Sequence, residues 1–109
     1  NLDYPLNYLD TIFNATGVSL CVDIGHQLAY RNDVMELLRK YWERIRVFHL
    51  HWHDGTNDHL AIPDPMPQGI RELLQFLMRK DFQGLLTIEV FSEKDFEQSM
   101  KTVKDFLSL

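Results

Sequence analysis

The order of apolar segments along the chain restricts the possible folds more than any other feature of the sequence. Three short segments with alternating apolar residues have the pattern of β-strands, and longer segments with apolar residues at helical spacing lie before, between and after them. The predicted strands are residues 18–24, 45–51 and 85–91. The predicted helices are residues 5–16, 34–42, 68–80 and 93–107. Regular alternation of this kind indicates an α/β protein with a parallel sheet.

Each predicted strand has one aliphatic face and one polar face. In the second strand, Phe48 and Leu50 share one side, while His49 and His51 share the other. Helices can pack against the aliphatic faces, but a second helical layer on the polar faces would bury unpaired charge at a high cost. A parallel barrel resolves this conflict, because helices cover its outside while polar side chains gather at the mouth of its interior.

The expected fold is therefore a partial (β/α)8 TIM barrel, with three parallel strands alternating with four helices. A chain of 109 residues is one domain at most. We expect residues 1–109 to be the C-terminal portion of such a barrel, about three of its eight strands. Three strands leave two open sheet edges, and bare edges recruit partners. We therefore predict either self-association or assembly with the rest of a barrel.

Charge and composition argue against several functional classes. The net charge is −5 and no run of lysine or arginine is present, which disfavours a nucleic-acid-binding surface. Cys21 is the only cysteine, so no intrachain disulfide can form and a reducing interior suits the chain. The sequence shows no signal peptide and no apolar segment long enough to span a bilayer, so we expect a cytoplasmic protein without a membrane partner.

Histidine is concentrated in one part of the chain. Four of the five histidines lie within residues 49–59, and the fifth is His26. Imidazole and carboxylate together form the ligand sets of zinc, manganese and iron. His49 and His51 lie two residues apart on one strand and so reach the same cavity. The alternative for this pair is two core histidines that are hydrogen-bonded to the backbone.

Two carboxylates at strand ends extend this candidate metal site. Asp23 ends the first strand and lies three residues before His26, so both can point into one mouth; the alternative is a turn-capping aspartate and an exposed histidine. Glu89 interrupts an otherwise apolar third strand. A carboxylate there needs a cation, either a metal ion or an arginine in a buried salt bridge, and the nearby histidines favour the metal.

A long polar loop, residues 52–67, separates the second strand from the third helix. Loops of this length in a compact domain are usually functional or disordered. We expect Trp52 and His53 to contact substrate or to orient ligands, with simple loop packing as the alternative. Asp58 and His59 are further candidate ligands, and a solvated turn is the alternative for them.

Four motifs, taken in order, resemble those of the xylose-isomerase-like TIM barrel superfamily, which includes sugar-phosphate isomerases and epimerases and the AP endonuclease family 2 phosphodiesterases. The motifs are Asp23-Ile-Gly-His26, His49-Leu-His51, Asp58-His59-Leu and Gly84-Leu-Leu-Thr-Ile-Glu89-Val. The resemblance covers nearly the whole chain but only strands six to eight of the family's barrel. The segment that starts at Glu89, together with the loop, is similar to the cobamide-remodelling phosphodiesterase branch.

The resemblance implies a set of metal ligands on and after these strands. They are Asp23 and His26 after the sixth strand, His49 at the end of the seventh, His59 in the loop and Glu89 on the eighth. The family's usual Asp-x-His reads Asn57-Asp58-His59 here, so either Asp58 has shifted into the ligand role or that coordination is weaker. Asn1-Leu2 resembles the pair that follows a glutamate ligand on the fifth strand.

Three functional hypotheses follow from the resemblance. In a phosphoester hydrolase, two or three zinc or manganese ions would activate water at a small-molecule phosphodiester. In a sugar or sugar-phosphate isomerase or epimerase, one metal would polarise a carbonyl while a carboxylate moves a proton. Histidine density favours the hydrolase, with Glu89 and His51 as candidate catalytic residues. The third hypothesis is a non-catalytic metal-binding fragment of a larger enzyme.

Overall fold

A computed structural model describes residues 8–108, which form a three-stranded parallel sheet flanked by helices. The strands are β1 (Leu20–Asp23), β2 (Ile45–Leu50) and β3 (Leu85–Ile88). The α-helices are α1 (Asp10–Ala15), α2 (Ile24–Ala29), α3 (Val34–Tyr41), α4 (Gln68–Arg79) and α5 (Glu93–Leu107). A 3₁₀ turn at Trp42–Arg44 links α3 to β2. The predicted fold class, three parallel strands of a partial α/β barrel, is confirmed.

The number of helices differs from the prediction. Five α-helices lie within residues 8–108, where the sequence predicts four in all. The additional helix is α2, which replaces the loop expected at Gly25-His26. It begins directly after β1 because the Asp23 carboxylate accepts a hydrogen bond from the backbone N–H of His26 and so caps the helix. The first predicted helix starts at Pro5, which lies outside the described residues, as does the Asn1-Leu2 motif.

The sheet has the order β1-β2-β3, with both neighbouring pairs parallel. Asp23 pairs with His49, and His49 in turn pairs with Thr87. Beyond β3, the N–H of Glu89 donates a 2.9 Å hydrogen bond to the carbonyl of Leu50, which continues the ladder. This register brings the polar residues that end each strand to a common rim of the sheet.

The aliphatic face of the sheet packs against helices, as the alternating pattern predicts. Phe48 and Leu50 on β2 are fully buried. Helices α3 and α4 supply most of the opposing side chains, which are Val34, Leu37, Leu38, Tyr41, Ile70, Leu73, Leu74 and Leu77. Full burial of one such side chain contributes about 1.5–3 kcal/mol. This core holds β1 and β2 in register and so fixes the rim above them.

The loop between β2 and α4 is ordered by its own contacts. Trp52 and Leu60 form an antiparallel bridge across it. The Asp54 carboxylate accepts hydrogen bonds from the N–H groups of Thr56 and Asn57 and closes the tip. Farther along, Ile62 is fully buried, and its N–H donates to the Ser99 hydroxyl on α5. These contacts order the loop and attach its second half to α5.

Strand β3 is far less covered than β1 and β2. Leu85 is 66 % exposed and Leu86 is 37 % exposed. Leu86 and Ile88 have the aliphatic pattern of a helix-covered face, but no strand within residues 8–108 pairs with the outer edge of β3. The described part of the chain therefore ends its sheet on an apolar strand. No helix in that part combines the length and apolarity needed to cross a membrane.

Candidate metal centre

Ligand-forming side chains gather in two groups at the carboxyl ends of the strands. The first ligand group consists of Asp23, His26, His51 and His59. The second ligand group consists of Asp23, His49 and Glu89. Within each group, one nitrogen or oxygen atom from every residue lies within 4.8 Å of the others, close enough for a shared metal ion. Asp23 belongs to both groups.

Asp23 is held rigidly at the junction of β1 and α2. Its side chain is 1 % exposed. Its Oδ1 accepts hydrogen bonds from the N–H of His26, at 2.9 Å, and from Nε2 of His51, at 2.7 Å. Its Oδ2 makes no hydrogen bond within the described residues and lies 3.2 Å from Nδ1 of His26. One oxygen of Asp23 is therefore anchored, while the other faces the rim.

His51 is fully buried beside Asp23. Its Nε2 donates to Asp23, and its Nδ1 accepts a 3.0 Å hydrogen bond from the N–H of His59. Nδ1 also lies 3.3 Å from the carbonyl oxygen of Trp52, so the ring has a backbone partner in either neutral tautomer. Gly25 makes room for this ring, since a Cβ at Gly25 would lie 2.1 Å from Cε1 of His51.

His59 connects the loop after β2 to the first ligand group. Its backbone has φ = 55°, in the left-handed region that a non-glycine residue seldom adopts. Its ring stacks on His51, with centroids 4.2 Å apart, and on Phe91, with centroids 4.7 Å apart. Backbone strain at such a position persists when surrounding contacts fix it. Here the stacking and the hydrogen bond to His51 supply those contacts.

The second ligand group brings together buried polar atoms that lack hydrogen bonds. Nδ1 of His49 and Oε2 of Glu89 lie 3.0 Å apart, but neither atom makes a hydrogen bond within the described residues. Oδ2 of Asp23 shares this property. Buried polar groups are rarely left unsatisfied, and each such group requires an explanation. A cation between these three side chains would satisfy all of them, so they fit a metal ion.

The electrostatics of the first ligand group favour ionised carboxylates. Burial raises the pKa of Asp23, but hydrogen bonds from His51 and His26 outweigh burial and hold the pKa below its usual value. Burial lowers the pKa of His51, and the hydrogen bond and charge of Asp23 bring it above its usual value. A hydrogen bond with His59 lowers the pKa of Asp58. Carboxylate ligands bind in the ionised form, so the lowered pKa of Asp23 suits metal binding, whereas the raised pKa of His51 favours the imidazolium form, which does not bind a metal.

The structure divides the sequence-predicted ligands between the two groups. His26 and His59 join the first group, and His49 and Glu89 join the second. His51, predicted as a catalytic residue, lies in the first group. Asp58 belongs to neither group, yet its carboxylate contacts both His26 and His59.

Aromatic side chains surround the two groups. The rings of Trp52 and His53, predicted to contact substrate, lie 4.6 Å apart and outside both groups. Phe91 and Tyr30, which sequence reasoning did not single out, stack on His59 and His26 respectively. The sequence does contain a clue to the role of Phe91. It lies two residues after Glu89, so in an extended segment both side chains point to the same side.

Comparison with known proteins decides the family. Residues 6–108 match the profile of the xylose isomerase-like TIM barrel. The chain belongs to the xylose isomerase-like TIM barrel family. The resemblance seen in the four sequence motifs is thereby confirmed. No curated protein and no solved structure matches the chain.

Membership of the xylose isomerase-like TIM barrel family explains where the ligand groups lie. Active sites of TIM barrels are built at the carboxyl ends of the strands, and both groups occupy that rim of β1, β2 and β3. The three strands of the described residues correspond to part of an eight-stranded barrel. The nitrogen and oxygen donors of the two groups suit a divalent metal ion.

Proposed function

We propose that this chain forms part of the active site of a divalent-metal-dependent phosphoester hydrolase. The observation that supports the proposal best is the pair of ligand groups that share Asp23. Two metal ions held about 3.5–4 Å apart are typical of phosphatases and nucleases, because together they stabilise the attacking and leaving oxygens. A single ion is enough to polarise the carbonyl of a sugar. The shared carboxylate therefore favours hydrolysis over isomerisation.

The residues of both groups fit zinc or manganese. The residues of the two groups would hold the ions, with Asp23 common to both. Bound ions would lower the pKa of a water molecule and neutralise the charge of a phosphodiester. Ligand imidazoles must be neutral and ligand carboxylates ionised, and the lowered pKa of Asp23 favours that state.

Glu89 and His51 have different roles in this proposal. Glu89 is 36 % exposed, and its Oε2 lies 3.0 Å from His49 and 3.5 Å from His59. A carboxylate at the open rim can accept or release a proton beside a bound substrate. His51 has no exposed surface, so we assign it a positioning role through its hydrogen bond to Asp23.

A small-molecule phosphodiester is the proposed substrate. The net charge of −5 disfavours a polyanionic nucleic acid, whereas metal ions can hold one small anionic group. Trp52, His53 and Phe91 border the ligand groups and are the proposed substrate contacts. The cobamide substrate implied by the similarity of the C-terminal segment remains a prediction.

A sugar or sugar-phosphate isomerase or epimerase is the second candidate. The second ligand group supports it, because Glu89 and His49 could hold one ion while the same carboxylate moves a proton between carbons. The third candidate is a metal-binding role without turnover, supported by the small share of a barrel that residues 8–108 form.

Metal analysis combined with two substrate screens tests these candidates. The chain, and any longer protein that contains it, would be analysed for bound zinc and manganese. The same samples would be assayed for phosphomonoester release from phosphodiesters and for ketose–aldose interconversion. Hydrolysis with about two ions per chain supports the proposal. Sugar interconversion with one ion supports the isomerase instead, and binding without turnover in the longer protein supports the non-catalytic role.

We also propose that another strand covers β3 in the functional assembly. Leu85 and Leu86 are exposed on a strand that carries no charge along Leu-Leu-Thr-Ile. Natural edge strands are usually protected by charges, proline or bulges. The covering strand would come from a second copy of the chain or from the rest of a barrel. A cytoplasmic location is part of the proposal, because reducing conditions suit a chain with one cysteine.

A further inference from the structure

We infer that Asp58 is a positioning residue that orients two ligand histidines, and that it is not itself a metal ligand. Its Oδ2 lies 2.9 Å from Nε2 of His26, and its Oδ1 lies 2.7 Å from Nδ1 of His59. Each oxygen of one carboxylate therefore contacts a different imidazole. The two imidazoles come from distant parts of the chain, α2 and the loop after β2.

The chemistry of the carboxylate assigns protons to both rings. An ionised carboxylate only accepts hydrogen bonds, so each nitrogen that contacts Asp58 must carry a hydrogen. His26 is therefore protonated on Nε2, and His59 is protonated on Nδ1. In neutral imidazoles the opposite nitrogens, Nδ1 of His26 and Nε2 of His59, then carry lone pairs. These are the nitrogens that can bind a metal ion.

Both lone-pair nitrogens face carboxylates of the ligand groups. Nδ1 of His26 lies 3.2 Å from Oδ2 of Asp23, and Nε2 of His59 lies 3.5 Å from Oε2 of Glu89. Two acceptors at such distances repel each other unless a cation lies between them. Asp58 thus turns both imidazoles toward the places where a cation is needed. Outer-shell carboxylates that hold a ligand histidine in one tautomer act in this way.

The position of Asp58 argues against a direct ligand role. Asp58 is adjacent to His59 and stays outside both ligand groups. Its side chain is 48 % exposed, so it approaches the histidines from the solvent side. Each of its oxygens instead contacts an imidazole nitrogen. The change from the family's Asp-x-His to Asn57-Asp58-His59 accordingly replaces a ligand with an orienting group.

This inference rests on the metal site of the proposed function, and one of its tests does not need metal. Nitrogen-15 NMR of the metal-free chain at neutral pH reports which ring nitrogen carries the hydrogen. We expect a hydrogen on Nε2 of His26 and on Nδ1 of His59 in the wild-type chain, and partial loss of both hydrogens in Asp58→Asn, whose amide has a single acceptor oxygen. The opposite tautomers in the wild-type chain would overturn the inference, even if the chain binds no metal.

Cobalt titration separates an orienting role from a ligand role. Asp58→Asn should weaken Co²⁺ binding by about 10–100-fold, the usual effect of losing an outer-shell partner. At saturating Co²⁺ its visible spectrum should match the wild-type spectrum, because the ligands are the same. Asp64→Asn is the matched control, since it removes one charge from the same loop, and it should bind like the wild type.

A changed saturated spectrum, or unchanged affinity, in Asp58→Asn overturns the inference. Failure of the wild-type chain to bind Co²⁺ counts against the proposed function instead.

Discussion

The two ligand groups share Asp23 but are held in different ways. In the first group, His51 is fully buried and uses both ring nitrogens, while Asp58 fixes His26 and His59. In the second group, His49 and Glu89 face each other without a hydrogen bond at the atoms that meet. Hydrogen bonds therefore hold more of the first group in place without metal, whereas the His49–Glu89 contact of the second group lacks such support.

The difference follows from where each group lies in the sheet. The first group lies beneath the ordered loop and beside β1 and β2, whose aliphatic faces are covered by helices. The second group includes Glu89, which follows the exposed strand β3. Preorganised ligands lower the cost of ordering a site at the moment of binding. We therefore expect the first group to bind metal more tightly, and the predictions below test this contrast.

Asp23→Asn should have the largest effect, because it removes the carboxylate common to both groups. We expect metal affinity at both groups to fall by more than about 100-fold, beyond the loss of an outer-shell contact. Elemental analysis after dialysis would measure the ions that remain. Glu97→Gln, an exposed change on α5, is the charge-matched control. Retention of one tightly bound ion in Asp23→Asn would show that the groups do not share this ligand.

Glu89→Gln should affect the second group more than the first. An amide keeps the size of the side chain but removes the charge that faces His49. We expect bound metal to fall from about two ions per chain to about one, which the first group retains. Isothermal titration would resolve the two affinities, with Glu93→Gln as the control. Loss of both ions together would mean that the groups form one coupled site.

Gly25→Ala should damage the first group by steric displacement. A methyl group there would lie 2.1 Å from the His51 ring, so the ring must move away from Asp23. Overpacking of this kind costs about 1–3 kcal/mol of stability. Urea unfolding of the metal-free chain would measure it. Gly17→Ala is the control, since a Cβ there has no neighbour within 4 Å. Equal stability of both variants would contradict the close packing of His51 on α2.

Leu85→Lys should weaken self-association while leaving the first group intact. Leu85 is 66 % exposed on the open edge of β3, and a charge there opposes pairing with another strand. We expect light scattering to show a dimer or larger form for the wild-type chain and a shift toward monomer for the variant. Tyr8→Lys changes an equally exposed residue away from the sheet and should have no such effect. A monodisperse wild-type monomer would argue against assembly through this edge.

The sequence alone was sufficient for the general plan of this molecule. Alternation along 45–51 separates Phe48 and Leu50 from His49 and His51, and a carboxylate that interrupts an apolar strand pattern, such as Glu89, favours a nearby cation. These two patterns predict a parallel sheet with a metal-binding rim. Both patterns can be read from residue types and their spacing alone, without knowledge of contacts between distant parts of the chain.

The division of histidines between the groups was not predictable in the same way. His49 and His51 share a face, and only the strand register and the loop decide which one reaches Asp23. The helix α2 was missed because Asp23 serves as a helix cap as well as a candidate ligand. The double contact of Asp58 requires the loop to bring His59 beside His26 of α2, and the left-handed backbone of His59 in that loop is not revealed by residue type.

The smallest expected effect is a pH dependence carried by the Asp23–His51 pair in the metal-free chain. Asp23 has a lowered pKa, so its contribution is present above its unfolded value of about 4 and is lost as pH falls through the folded pKa. His51 has a raised pKa, so its contribution is present below about 6.5 and is lost as pH rises through the folded pKa.

Stability measurements with chelator present would test this window. The free energy of unfolding of the wild type minus that of Asp23→Asn should peak between pH 4 and 6.5, at about 1.5–3 kcal/mol for a charge-assisted hydrogen bond. Above that window the difference should shrink without vanishing, because neutral His51 still donates from Nε2 to Asp23. A difference that keeps rising above pH 7 would mean that the pair stabilises the fold only when His51 is neutral. The first group would then favour deprotonated imidazole, the state a metal needs, even before metal binds.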